Sequence, residues 1–219
     1  MKILTIGDLH GNKPMIHFKD FDAIIAPGDF CSDALRKYYF EAIREKMKNP
    51  ESELKWYEII GKEKAEKMLD KSWKDGRKIL EFLNSLDVPV FVVPGNWDQF
   101  GEKDSKFKRE KENRYSHLIK GLDNLRDVHF KRKTLEGFDF VGYGVVSGPE
   151  VPQYKEDKDR LTMKELKEQK DNYYTRKKRL SKILQQAKNP VVFMPHNVPF
   201  KTTLDKITDK TSPKYGYHY

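Results

Sequence analysis

The chain has 219 residues, with 43 Lys+Arg against 34 Asp+Glu and a formal net charge of +9. That length suits one domain with an insertion, and the apolar residues, 37% of the total, fall in compact runs, which excludes whole-chain disorder. No run reaches the ~18 apolar residues of a membrane span, the first apolar run leaves no room for a signal peptide, and the single cysteine, Cys31, excludes an intrachain disulfide and a cysteine zinc cage; a soluble cytoplasmic protein with no membrane partner is expected.

In chain order, residues 2–6 (KILTI) read as a strand and run into Gly7-Asp8-Leu9-His10-Gly11-Asn12. A second strand at 23–26 leads to Pro27-Gly28-Asp29. Residues 33–86 form a helical insertion, cut by Asn49-Pro50 and by Gly61. A third strand at 90–93 ends in Pro94-Gly95-Asn96-Trp97-Asp98. Residues 128–131 and 138–143 flank Glu136-Gly137 as a hairpin, followed by a polar loop, Ser147-Gly148-Pro149-Glu150. Thr162-x-x-Glu165 has the form of a capping box and opens a long helix. Leu180, Ile183, Leu184 and Ala187 share one face of it, and Asn189-Pro190 ends it. A last strand at 191–194 leads to Pro195-His196-Asn197. Strands alternating with helices give an α/β layered architecture, one domain over residues 1–219.

In such sheets ligands gather outside the carboxyl ends of the strands. Four strand ends here deliver metal-type side chains: Asp8 and His10, then Asp29, Asn96 and His196. Asp8 and His10, two apart on the extended end of a strand, are expected to point to one side. Asp29 is expected to bridge two ions through its two oxygens, with Asn96 and His196 completing the second site. Mixed nitrogen and oxygen ligation suits Mn, Fe, Zn, Ni or Co. Two divalent ions less two carboxylates and a bridging hydroxide leave net positive charge, which attracts a phosphate ester.

Taken singly, each residue has an ordinary explanation. Asp8 and Asp29 suit turns, Gly95-Asn96 is a common turn pair, and His10 and His196 suit hydrogen-bonded loops. The basic residues are interleaved with acids, as on solvated helices, and Arg176-Lys177-Lys178-Arg179 reads as a solvated run or a phosphate-backbone contact. The ordered series at strand ends is what points to a metal centre.

Asp8-x-His10, Gly28-Asp29, Gly95-Asn96-x-Asp98 and the later His196 resemble the motifs of the calcineurin-like metallophosphoesterase family, over nearly the whole chain. The resemblance implies a β-sandwich of two mixed sheets flanked by helices. It implies two divalent metal ions held by Asp8, His10, Asp29, Asn96 and His196, and hydrolysis of phosphodiesters or phosphomonoesters through a metal-bridging hydroxide. Many members carry His where this chain has Trp97. In that respect it is similar to a small prokaryotic phosphodiesterase branch. The leaving-group proton then falls to His10 or a water, and Asp98 to orienting a ligand, so His10 and Asp98 are the catalytic candidates.

The family's closing Gly-His-x-His motif has no counterpart after His196, and residues 201–219 hold no apolar strand. The expectation is a chain shortened at its C-terminus, with metals lacking ligands and a bared sheet edge that admits a homodimer. The leading function is a phosphoesterase, diester before monoester. The alternatives are a catalytically weak scaffold or binding protein on the same fold, and a nuclease, suggested by the charge of +9 alone.

Overall fold

The computed structural model describes residues 1–100, 114–144, 161–199, 202–212 and 215–216. The loop beginning at Ser147 and the terminal Tyr217-His218-Tyr219 lie outside these. Two sheets form. The first holds β1 (Ile3–Thr5), β2 (Ala23–Ala26), β3 (Val90–Val92) and β4 (Leu125–Asp127), in that order and parallel throughout. The second holds β5 (Arg132–Leu135), β6 (Phe138–Tyr143) and β7 (Val191–Pro195), antiparallel and then parallel, so it alone is mixed.

Period-2 alternation divides the core. Ile24, Ala26, Val90 and Val92 pack on one face of the first sheet with Ile79, Leu80 and Leu83. Ala23, Phe91 and Val93 take the other face and meet Phe140 and Met194 of the second sheet. Phe91 and Phe140 stack with ring centroids 3.7 Å apart and planes within 6°. That pair locates the middle of a sandwich in which the segments following β2, β3 and β7 meet.

The helical insertion lies between β2 and β3 as α1 (Arg36–Lys48), α2 (Trp56–Ile60) and α3 (Lys62–Asn84). Asn49, ahead of Pro50, closes α1, and Gly61, at φ 82°, separates α2 from α3. Helix α3 buries Ala65, Leu69, Ser72, Gly76, Ile79, Leu80 and Leu83, one stripe at helical spacing. A Cβ at Gly76 would sit 2.6 Å from Cys31 Sγ, so the glycine is what lets α3 press on the loop after β2. Helix α4 (Arg114–Ile119) adds Tyr115 and Leu118 to the same core. Helix α5 (Met163–Gln185) begins at Thr162 as a capping box: the Thr162 hydroxyl accepts the Glu165 N–H and the Glu165 carboxylate accepts the Thr162 N–H.

One element differs from expectation. Residues 128–131 are not a strand; the hairpin pairs Arg132–Leu135 with Phe138–Tyr143 around Glu136-Gly137. The Val128 N–H still reaches Val92 O, but the Asp127 carboxylate takes the His129 N–H and Phe130 adopts φ 50°. The segment is a buried crossover between the sheets, and its apolar Val128 and Phe130 imitate a strand.

Candidate metal centre

Strand β1 stops at Thr5, and the chain beyond it is not extended. Asp8 and His10 have φ of 51° and 47°, and Asp29 has φ of 56°. A non-glycine residue in this left-handed region costs about 1–3 kcal/mol and persists only where its surroundings enforce it. Here the enforcement is a zipper between two loops: Asp8 N–H donates to Gly28 O, His10 N–H to Asp29 O and Gly11 N–H to Phe30 O, at 3.2, 2.9 and 2.8 Å. Asp8 and His10 thus share a side because the backbone turns back at each of them, and the strand pleat plays no part. With Asp29 they present ligand atoms all within 4.8 Å of one another.

The loop after β3 closes on the same point. Gly28 has φ 100°, and a Cβ there would lie 2.3 Å from the Gly95 nitrogen; a Cβ on Gly95 would lie 2.1 Å from Asp29 Oδ1. Only two glycines allow the Pro27-Gly28 and Pro94-Gly95 turns to touch. Asp98 is buried beneath them. Its Oδ2 accepts the N–H groups of Asp29 and Gly95 at 2.9 and 2.8 Å, and its Oδ1 those of Phe30 and Cys31, both at 2.9 Å. Both oxygens are filled by main-chain donors, so Asp98 is a positioning residue acting through Asp29. Nothing in the sequence flags these donors, which lie up to 69 residues away.

Asp29 is almost enclosed. Its Oδ1 accepts the Trp97 N–H at 2.8 Å, while Oδ2 lies 3.9 Å from His10 Nε2 and 3.7 Å from His196 Nε2. One oxygen, not two, therefore faces both imidazoles. His196 is set by its other nitrogen, since Nδ1 lies 2.7 Å from the Pro27 carbonyl, which only accepts. The proton sits on Nδ1, and the Nε2 lone pair points toward Asn96 Oδ1, 3.1 Å away, and Asp29 Oδ2. Three polar atoms, His196 Nε2, Asn96 Oδ1 and Asp29 Oδ2, converge there. His10 Nδ1 is buried and has no hydrogen-bond partner among the described residues.

Burial pushes the Asp29 carboxyl up to about 8, the charges of Asp98 and Asp8 add to the rise, and the Trp97 N–H opposes it. Burial also raises Asp98, against the pull of its four N–H donors. A divalent cation beside Asp29 would favour its charged form. The donor set divides into Asp8, His10 and Asp29 on one side and Asp29, Asn96 and His196 on the other, residues whose chemistry would suit two divalent ions. Trp97 turns into an aromatic cluster, 4.7 Å from Phe100 and 6.5 Å from Tyr39 between ring centroids.

The family model for calcineurin-like phosphoesterases matches residues 1–218. The chain belongs to the calcineurin-like phosphoesterase family. One solved structure superposes with a TM-score of 0.58 at 16% identity, over 99% of this chain and 76% of its own, and supports the fold alone. A second, TT1561 of Thermus thermophilus, is 14% identical with a TM-score of 0.47, over 97% of this chain and 73% of its own. No curated protein matches the chain. Membership makes it, at the level of the family, a metal-dependent phosphoesterase, and calcineurin-like phosphoesterases typically work with two metal ions. Among the described residues no helix is long and apolar enough to cross a membrane.

Proposed function

We propose that this calcineurin-like phosphoesterase is a dinuclear-metal phosphodiesterase. The observation that carries the reading is the convergence of His196 Nε2, Asn96 Oδ1 and Asp29 Oδ2, with Asp29 also facing His10. Two divalent ions held by Asp8, His10, Asp29, Asn96 and His196 would supply a Lewis acid and a hydroxide nucleophile at neutral pH. The protein's part is to hold the donors still. The Trp97 N–H holds the Asp29 carboxylate, Asp98 holds the Asp29 main chain behind it, and the Pro27 carbonyl fixes the His196 tautomer. Trp97 has no proton to give a leaving group, which leaves His10 as the side chain of the cluster that would hold one.

The test is hydrolysis of bis(p-nitrophenyl) phosphate with added Mn²⁺, comparing the wild type with Asp29→Asn and His196→Ala. Each variant should lose more than the ~100-fold that removal of an outer hydrogen-bond partner costs. A wild type no faster than Asp29→Asn would defeat the catalytic reading and leave a scaffold on the same fold.

A further inference from the structure

We infer that the outward face of α5 is a docking surface for single-stranded nucleic acid. The helix has 23 residues and buries none of them, so it lies along the surface for roughly 35 Å. Its second half carries Arg176, Lys177, Lys178, Arg179 and Lys182, with no Asp or Glu after Asp171. Helix α3, of the same length, is organised differently: Glu63–Lys67, Lys71–Asp75 and Arg77–Glu81 are ion pairs one turn apart. No such pair is available to Lys177 or Lys178, whose neighbours three and four residues away are Tyr, Thr, Leu, Ser and Lys.

Arg176 and Arg179, Arg179 and Lys182, and Lys178 and Lys182 stand three or four residues apart, where like charges repel. The negative pole of the helix offsets this only within the last turn; that accounts for Lys182 but not for Lys177 and Lys178, about two turns from the end. On the outward face Tyr174 is 54% exposed. One turn from it stand Lys170, Asp171, Lys177 and Lys178, and none of the three lysines has an ion pair among the described residues. An exposed ring framed by three such cations is the arrangement that stacks a base while holding its phosphates.

An anionic membrane is the rival polyanion, and the distribution of apolar side chains argues against it. A membrane-surface helix needs a continuous apolar stripe on the face that meets lipid. Leu166, Leu180, Ile183 and Leu184 are half-buried toward the sheet, and Arg179 is laid over the Phe130 ring at 4.7 Å. Outward, the exposed large apolar side chains of α5 are Met163 at its start and Tyr174, three turns apart.

Binding of a short fluorescein-labelled oligothymidine is measured by anisotropy in EDTA, at rising NaCl. Working without divalent metal separates this inference from the phosphoesterase reading. The wild type should bind with a log Kd that rises with log salt at a slope of about 2–3, as three or four phosphate contacts require. Lys177→Glu/Lys178→Glu should weaken binding at least about tenfold and lower the slope by about 1.4. Tyr174→Ala should weaken it about fivefold with the slope unchanged. All three side chains are exposed, so thermal melts should match the wild type. Salt-insensitive binding, unaltered binding by the double variant, a preference for duplex, or cosedimentation with phosphatidylserine vesicles in place of oligonucleotide binding would each overturn the inference.

Discussion

Asp98 and Asp29 lock one another through the main chain. Asp98 Oδ2 accepts the Asp29 N–H at 2.9 Å, and Asp29 Oδ1 accepts the N–H of Trp97, the residue before Asp98, at 2.8 Å. Neither loop can shift without breaking the other's hydrogen bond, so the one oxygen of Asp29 left unbonded stays aimed between His10 and His196.

Asp98→Asn tests this lock. The amide keeps the shape but turns donors toward N–H groups, stranding at least one pair of them. A loss of about 2–4 kcal/mol is expected from unmade buried bonds to a charged acceptor, with weaker Mn²⁺ binding. Chemical denaturation and isothermal titration measure the two. A variant as stable as the wild type, with the same Mn²⁺ affinity, would show that Asp98 positions nothing.

Gly95→Ala should remove the centre while leaving the fold. The added Cβ would lie 2.1 Å from Asp29 Oδ1 and 2.4 Å from the Asp29 nitrogen, so the carboxylate and the loop that carries it must both move from the Trp97 N–H. Far-UV circular dichroism should be unchanged and Mn²⁺ affinity should fall by at least about tenfold, since a displaced ligand costs no less than a lost outer partner.

The metal-free protein should become less stable as pH rises. The folded carboxyl of Asp29 is raised to about 8 from an ordinary value of 3.8. A raised carboxyl makes the native state bind more protons than the unfolded one, so stability is full below about pH 4 and is lost as pH climbs toward 8. Melts in EDTA should show this slope, Asp29→Asn should flatten it, and Mn²⁺ should restore stability at the alkaline end, where it no longer competes with a proton. A melting temperature in EDTA that rises over that window would contradict the assignment.

Asp139 gives the opposite sign. It is fully enclosed in β6 and gathers the Thr134 hydroxyl, Arg132, the Asn189 side chain and the N–H groups of Lys188 and Asn189. The Thr134 bond, above all, holds its carboxyl well below the usual range, with Asn189 and Arg132 adding, so its stabilisation is present above about pH 4 and is lost on acidification. Asp139→Asn should loosen the junction of β5, β6 and β7, seen as faster amide exchange in residues 132–143 and 191–195. An exchange pattern confined to the metal loops would refute it.

Much of this was legible in the residues themselves. Runs such as AIIA and VFV, bounded by Pro-Gly turns, can hide their side chains only as central strands, and Asn49-Pro50, Gly61 and the Thr162–Glu165 box mark helix ends by local chemistry alone. The crossover at 128–131 was not legible, because a buried link and a buried strand share one apolar pattern, and what separates them is the Asp127 carboxylate taking the His129 N–H.

By itself the sequence determined which side chains stand at the ends of four strands, and hence the nitrogen and oxygen chemistry of the centre, because strand ends and turns are encoded locally. Only tertiary structure decided how those side chains meet. The left-handed turns at Asp8, His10 and Asp29 cost energy in isolation and exist because the first two loops hydrogen-bond to each other. The single oxygen of Asp29 that faces both imidazoles, the tautomer of His196 and the burial of Asp98 depend on partners far along the chain, and long-range contacts leave no periodic trace in residue order.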